Sequence, residues 1–333
     1  WAGRGIVEVA YWIAISNILN VLVYMFFVAK MVSLQALVPK VSKSVVNRVR
    51  KYSTQMAWIS LLAVVYKQFD KLLISLMLPI GVLGIYSFAY TTVTKLTLIT
   101  DAISQAVFPV FSELGNQQER AKALDRFFSL QDMLIYGLIP LFALMVFATL
   151  PVFSFLMDPN KARELLLPVL FLCIAFYLNG TLRLLTTYIS ASGKPGYVIR
   201  AIVILLIVVA PITILLIKEF GMVGAAFSWV VTSFINACYI VPAIYINELG
   251  KSPGVWLRPM LKVVLLLCGT YVPVWWIVHQ VIPNHSLYLA LSYLVASGLY
   301  FPLALNVSVG GFRNACLRHI PKTRHLIVLH RRE

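Results

Sequence analysis

Charge is scarce in this chain. Only 12% of its 333 residues are Asp, Glu, Lys or Arg, where a soluble domain averages about 25%. A globule of this length must show much polar surface to water, so a soluble enzyme is excluded, and so is a disordered chain. Cysteine is scarce too. Cys173, Cys238, Cys268 and Cys316 are widely spaced, with no CxxC pair, and the first three sit in apolar runs. They read as small core residues and exclude a disulfide scaffold or a thiolate metal site. No Walker motif is present, which argues against ATP drive within the chain. No Ser/His/Asp or paired-carboxylate constellation occurs, and no loop exceeds about 25 residues, too short for a soluble catalytic domain. His279, His285, His319, His325 and His330 fall at segment ends or in the tail, off metal-ligand spacing. No metal and no cofactor is expected.

What fills the chain instead is apolar. Hydrophobic residues make up 60% and mean hydropathy is +0.87. This composition predicts an all-α, polytopic integral membrane helix bundle. Nine runs are long enough to span: 8–30, 56–78, 85–111, 128–150, 164–189, 198–217, 221–245, 260–281 and 286–307. Turn chemistry separates them at Pro79-Ile80-Gly81, Asp158-Pro159-Asn160, Ser192-Gly193-Lys194-Pro195-Gly196, Lys218-Glu219-Phe220-Gly221 and Pro283-Asn284. Pro109, Pro140, Pro151, Pro168 and Pro211 are candidate kink sites, although membrane helices use Pro routinely. Trp256, Trp275 and Trp276 resemble interfacial belt residues.

Basic residues set the topology. Lys and Arg number 28 against 12 Asp and Glu, a net charge of +16. With strict alternation over nine spans, 20 of them fall on one side and four (Arg4, Lys161, Arg163, Lys218) on the other. The positive-inside rule then puts the chain's N-terminus outside and its C-terminus in the cytoplasm. The basic tail, Arg318 to Arg332, suits anionic lipid better than nucleic acid. The chain starts at Trp1 inside an apolar stretch, with no basic n-region. Together with the external N-terminus, this leads to the expectation that helices are missing upstream.

Six charges fall inside spans: Lys67, Asp70, Lys71, Lys95, Asp101 and Arg183. Each costs about 2.5–3.5 kcal/mol at the bilayer centre, roughly 15–20 kcal/mol for all six if they faced lipid. They must pair, snorkel or line a wet cavity. Lys67, Asp70 and Lys71 share one face at i, i+3 and i+4. Thr94, Thr97, Asp101, Ser104 and Gln105 form a polar stripe, with Lys95 at its margin. Arg183 has Asn179, Thr186 and Thr187 one turn away. Cations outnumber anions four to two. This favours Lys67, Lys71, Lys95 and Arg183 as the substrate-binding lining of a net-positive cavity, with Thr94, Thr97, Ser104 and Gln105 as its polar lining. The competing reading is packing salt bridges, Lys67–Asp70 and Lys95–Asp101, weighed evenly for the two aspartates.

Five stretches carry a resemblance. They are Gln68-Phe69-Asp70-Lys71-Leu72-Leu73-Ile74, Leu83-Gly84-Ile85-Tyr86-Ser87-Phe88-Ala89-Tyr90, Phe108-Pro109-Val110-Phe111-Ser112-Glu113-Leu114, Ala191-Ser192-Gly193-Lys194-Pro195 and Gly221-Met222-Val223-Gly224-Ala225-Ala226. In this order they resemble the bacterial polysaccharide (O-antigen/exopolysaccharide) flippases, within the multidrug/oligosaccharidyl-lipid/polysaccharide superfamily. The resemblance implies a partial MATE-like fold lacking about five N-terminal helices. The implied divisions are 1–33, last helix of a first lobe; 34–51, cytoplasmic linker; 52–250, second lobe of six helices; 251–308, an extra helix pair; and 309–333, cytoplasmic tail. It further implies a non-enzymatic protein of the bacterial inner membrane that moves polyprenyl-diphosphate-linked oligosaccharide by alternating access. Its implied partners are that lipid-linked substrate, membrane lipid, and polysaccharide polymerase or chain-length proteins, with no nucleic acid. Asp70 or Asp101 would couple a proton or Na⁺, or else serve in structural pairing.

Four rivals stand beside this. A multidrug/cation antiporter would want carboxylates rather than cations in its cavity. A lipid II flippase of the same fold is not separable by sequence. A membrane glycosyltransferase or polymerase would need a carboxylate-bearing loop outside the hydrocarbon. An inactive or partner-dependent fragment is the fourth.

Overall fold

The computed structural model describes residues 6–31, 43–112, 117–281, 286–308 and 310–317. Regular structure among them is entirely helical. In chain order the helices are α1 (Ile6–Met31), α2 (Lys43–Met77), α3 (Ile80–Lys95), α4 (Leu98–Ser112), α5 (Gln117–Leu156) and α6 (Pro159–Glu164). They continue with α7 (Leu166–Ala191), α8 (Gly196–Asn247), α9 (Gly254–Val281), α10 (Ser286–Val307) and α11 (Gly311–Leu317). The chain is an all-α, polytopic membrane helix bundle. It divides into two compact units, Trp1–Thr54 and Gln55–Glu333, and the division falls within α2.

Among the described residues, six helical stretches are long and apolar enough to cross a membrane. They lie in Ala10–Lys30, Ala121–Leu156, Pro159–Ala191, Gly196–Asn247, Gly254–Val278 and Tyr288–Val307. The pair α3 and α4, bent by 43° at a short break, makes a seventh if taken as one span. The difference from nine arises at two places. α8 is 52 residues long, about 78 Å at 1.5 Å per residue, more than twice a hydrocarbon thickness of about 30 Å. It holds both 198–217 and 221–245. α2 covers 56–78, but its apolar length is interrupted by Lys67-Gln68-Phe69-Asp70-Lys71.

The break in α8 is built by glycine. Gly221 has φ 56° and ψ −130°, outside helical space and open to a residue without a Cβ. Three residues on, a Cβ at Gly224 would overlap the backbone carbonyl of Leu216, so the two halves of α8 meet there backbone to backbone. The candidate Pro kink sites Pro109, Pro140, Pro151, Pro168 and Pro211 all lie inside helices, and the break in α8 falls at Gly221 rather than at Pro211.

α7 is the centre of the second unit. It packs on α8, α5, α4, α3 and α6. Fourteen of its 26 residues are buried, from Pro168 to Ile189, too many for a one-sided stripe. Asp158 opens the preceding turn by accepting a hydrogen bond from the Asn160 amide at 2.9 Å, ahead of Pro159. Gly193, at φ 74°, closes α7 as the Lys194 amide reaches back to the Ile189 carbonyl at 3.1 Å. Beyond this turn, Lys194 bonds Glu248 at the end of α8 at 2.6 Å.

α5, α9 and α10 form a second group. Pro140 has no amide hydrogen, so the carbonyl of Tyr136, four residues earlier, lacks its helical donor. The Tyr300 hydroxyl on α10 donates to that carbonyl at 2.7 Å. Tyr177 on α7 donates to the neighbouring Ile135 carbonyl at 2.8 Å. Tyr271 and Ser297 join α9 to α10 at 3.0 Å. In lipid a bare backbone carbonyl costs several kcal/mol, so the buried Tyr300 acts as a surrogate donor. Two minor expectations change. Trp256 is a core residue rather than a belt residue, and Cys238 and Cys268 are exposed, leaving Cys173 as the buried thiol.

Candidate functional site

Asp70 anchors the site. It projects from the C-terminal part of α2 and is only 4% exposed. Its Oδ2 accepts two hydrogen bonds, from the Tyr86 hydroxyl on α3 at 2.6 Å and from Trp229 Nε1 on α8 at 2.8 Å. Three helices are thereby tied at one carboxylate oxygen. Its Oδ1 is buried and meets no donor. Beside it lies a cavity of about 30 Å³, lined by Tyr66, Asp70, Thr213, Ser228 and Thr232 among others. This is room for about one water or one small cation. The Ser228 and Thr232 hydroxyls spend their hydrogens on carbonyls one turn back, Ala225 at 2.7 Å and Ser228 at 2.6 Å. What they have left to offer is oxygen lone pairs.

An aromatic cluster encloses this carboxylate. The Trp229 ring packs against Tyr66, Tyr90 and Phe176, with centroids 5.2, 5.5 and 5.4 Å away. Lys71, the next residue along α2, lies with Nζ 3.7 Å from the Tyr90 ring centroid and donates to Gln68 Oε1 at 3.3 Å. A cation over an aromatic face is attracted by the ring's negative face.

The expected Lys67–Asp70 bridge does not form. Asp70 turns inward to neutral donors, while Lys67, three residues earlier, stays on the exposed face. The expected Lys95–Asp101 bridge is replaced as well. Arg183 Nε on α7 bonds Asp101 Oδ1 on α4 at 2.8 Å, with side chains 53% and 35% exposed. The reason is geometric. Lys95 ends α3 and Asp101 begins α4, and the bend between them directs Asp101 toward α7, on which α4 packs. Lys95 itself is exposed.

The polar stripe straddles that bend rather than lying on one helix. Thr94 bonds the Thr91 carbonyl at 2.9 Å, and Thr97 bonds that of Thr94 at 2.8 Å. Thr100 continues the run to the Thr97 carbonyl at 2.7 Å. These hydroxyls satisfy the turn where the helix breaks. Past the bend, Ser104 is buried with its hydroxyl unpartnered and Gln105 is exposed. Lys67, Lys95, Gln105 and Arg183 are thus exposed and Lys71 partly so. Among the described residues, no cluster of three His, Cys, Asp or Glu is suited to a metal.

Residues 5–160 match the family model of polysaccharide biosynthesis proteins. Over that stretch, a little under half of the chain, the protein is similar to polysaccharide biosynthesis proteins. The match spans the part of the chain holding Lys67, Asp70, Lys71, Tyr86, Lys95 and Asp101, and ends before Arg183 and Trp229. No curated protein and no solved structure matches the chain. The apolar helices make the chain a multi-pass membrane protein.

The helix pattern does not report three of the site's members. Tyr86 lies inside a stretch that carries the family resemblance, but nothing in its spacing names it as a carboxylate donor. Tyr90 and Trp229 read as ordinary core aromatics. Only the fold brings Trp229 to Asp70.

Proposed function

We propose that this chain serves as a flippase of the bacterial inner membrane, moving a polyprenyl-diphosphate-linked oligosaccharide across it by alternating access within a MATE-like fold. Lys67, Lys71, Lys95 and Arg183 engage the diphosphate. Thr94, Thr97, Ser104 and Gln105 supply polar lining, and the polyprenyl tail stays in lipid.

One observation carries the reading: the carboxylate nearest the lysines forms an ion pair with neither of them. Asp70 spends one oxygen on Tyr86 and Trp229. Lys67 makes no ion pair and Lys71 rests on an aromatic ring. Uncancelled positive charge inside a membrane segment is costly unless an anionic ligand meets it. Arg183 is paired with Asp101, and that partly exposed bridge can be exchanged for a diphosphate oxygen. A cationic drug would be repelled by this arrangement.

Asp70 is the proposed coupling residue. Its unpartnered Oδ1 and the hydroxyl oxygens of Ser228 and Thr232 suit a proton or Na⁺, both of which prefer oxygen. Occupation would change the charge at the junction of α2, α3 and α8. It would thereby bias two conformations of those helices.

Deletion of the gene tests the reading. The expected result is build-up of polyprenyl-diphosphate-linked sugar in the membrane with loss of surface polysaccharide. Unchanged levels of both, with new drug sensitivity, would point to the antiporter instead.

A further inference from the structure

Arg183 and Asp101 meet where α4 packs on α7, with Nε and Oδ1 2.8 Å apart. The fold builds this meeting. A Cβ at Gly180, on α7 three residues before Arg183, would lie 3.2 Å from Leu138 Cδ1 and 3.3 Å from Thr100 Cγ2. That is tighter than ordinary contact, so the bare glycine lets α4 come close. Thr100 is buried, and its hydroxyl bonds the Thr97 carbonyl at 2.7 Å. Asp101 follows directly, its amide on the same carbonyl at 3.0 Å. A buried stretch of backbone thus presents the carboxylate to Arg183. The two charged side chains themselves are 35% and 53% exposed, within reach of a ligand.

The polar neighbours of Arg183 have already spent hydrogens. The Thr186 and Thr187 hydroxyls both donate to the Arg183 carbonyl, at 2.8 and 2.9 Å. They have only lone pairs left, which an anion avoids. Asn179, one turn earlier, donates to Ser233 Oγ at 2.8 Å. The guanidinium is the cation of this face, and its donors suit a phosphate oxygen.

An exposed ion pair is worth at most about fivefold in an equilibrium, so Asp101 is a partner that can be exchanged. The sign of the exchange depends on the incoming charge. A monoanion that replaces the carboxylate trades one charge for one and gains no Coulomb energy. A diphosphate brings more charge and gains. The tethered carboxylate weakens every anion by a similar factor, and that factor matters most for weak ligands present in excess. In a bilayer these are monoanionic phospholipids. Repulsion built in against the wrong ligand is a general route to specificity.

Building on the diphosphate reading above, we propose that Asp101 is a specificity residue. It occupies Arg183 as a tethered counter-anion until a diphosphate replaces it, and keeps monoanionic phospholipid headgroups off the site. When the diphosphate leaves, the carboxylate returns, so Arg183 is not left bare in the membrane.

The test uses the full chain in nanodiscs of equimolar phosphatidylcholine and phosphatidylglycerol, with retained lipid counted by native mass spectrometry. Asp101→Asn is expected to retain phosphatidylglycerol about fivefold more strongly than the wild type. Adding Arg183→Ala should abolish that gain, and Asp101→Glu should behave as the wild type. No gain in Asp101→Asn, or a gain that persists when Arg183 is also alanine, overturns the proposal. Polyprenyl diphosphate added to the wild-type chain tests the underlying reading separately. Binding that Lys67→Ala weakens supports that reading. Absence of binding, with the phosphatidylglycerol gain still present, strikes the diphosphate reading and leaves Asp101 shielding Arg183 from phospholipid.

Discussion

At the scale of single residues, Asp70 and Arg183 carry opposite lessons. Asp70 is a buried carboxylate with one oxygen held by neutral donors, 16 and 159 residues away in sequence, and the other without a donor. It therefore has no structural dependence on Lys67. Asp70→Asn should retain the fold, because an amide oxygen still accepts from Tyr86 and Trp229, yet lose coupled transport. Adding Lys67→Gln should give no recovery. Restored transport in the double variant would revive the same-helix bridge that the structure replaces. The i, i+3 spacing identified the right carboxylate and the wrong partner, since helical spacing reports only neighbours on one helix. Trp229 was not legible at all, because a tryptophan in an apolar run gives no sign that its Nε1 will meet a charge. Arg183 and Asp101 both stand out in the sequence as charges inside apolar runs, but their pairing needs the approach of α4 to α7, which no spacing encodes. Arg183→Ala should reduce lipid-linked sugar transport by about tenfold or more, the worth of a lost charge-assisted contact to phosphate. Wild-type flux in membrane vesicles loaded with the lipid-linked substrate would argue against that role.

At the scale of elements, the breaks matter more than the helices. Hydropathy placed most spans well, because runs of about 20 apolar residues have few alternatives. It separated 198–217 from 221–245, and the structure explains the separation through Gly221 and the close approach at Gly224. The same hydropathy passed over the bend at Leu96–Thr97, where three threonines back-bond in succession and no Gly or Pro marks the turn. Gly224→Ala should force the halves of α8 apart and cost about 1–3 kcal/mol, seen as a lower melting temperature in detergent. Tyr300→Phe should cost a similar 1–3 kcal/mol by stranding the Tyr136 carbonyl that Pro140 leaves open. An unchanged melting temperature for Tyr300→Phe would mean that water or a neighbour takes over the carbonyl. The prolines gave weak guidance because a membrane helix can carry them when a partner supplies the missing donor.

At the scale of the whole molecule, two charge patterns coexist. Basic residues crowd the loops of one predicted side, which sets the expected orientation. On α2, Lys67 and Lys71 stand without an ion pair among the described residues, while Asp70 is withdrawn into an aromatic core. Orientation is checked by membrane-impermeant thiol labelling: Asn160→Cys should react from outside and Ser252→Cys only from the cytoplasmic face. The reverse pattern would overturn the charge-based topology. The central claim is that the uncancelled cations meet a diphosphate. Its most direct test is Lys67→Ala at the native locus, with polyprenyl-diphosphate-linked sugar quantified in the membrane alongside the amount of the protein there. The account predicts accumulation approaching that of the gene deletion at an unchanged protein level. Normal lipid-linked sugar in cells making normal amounts of the Lys67→Ala protein would contradict it.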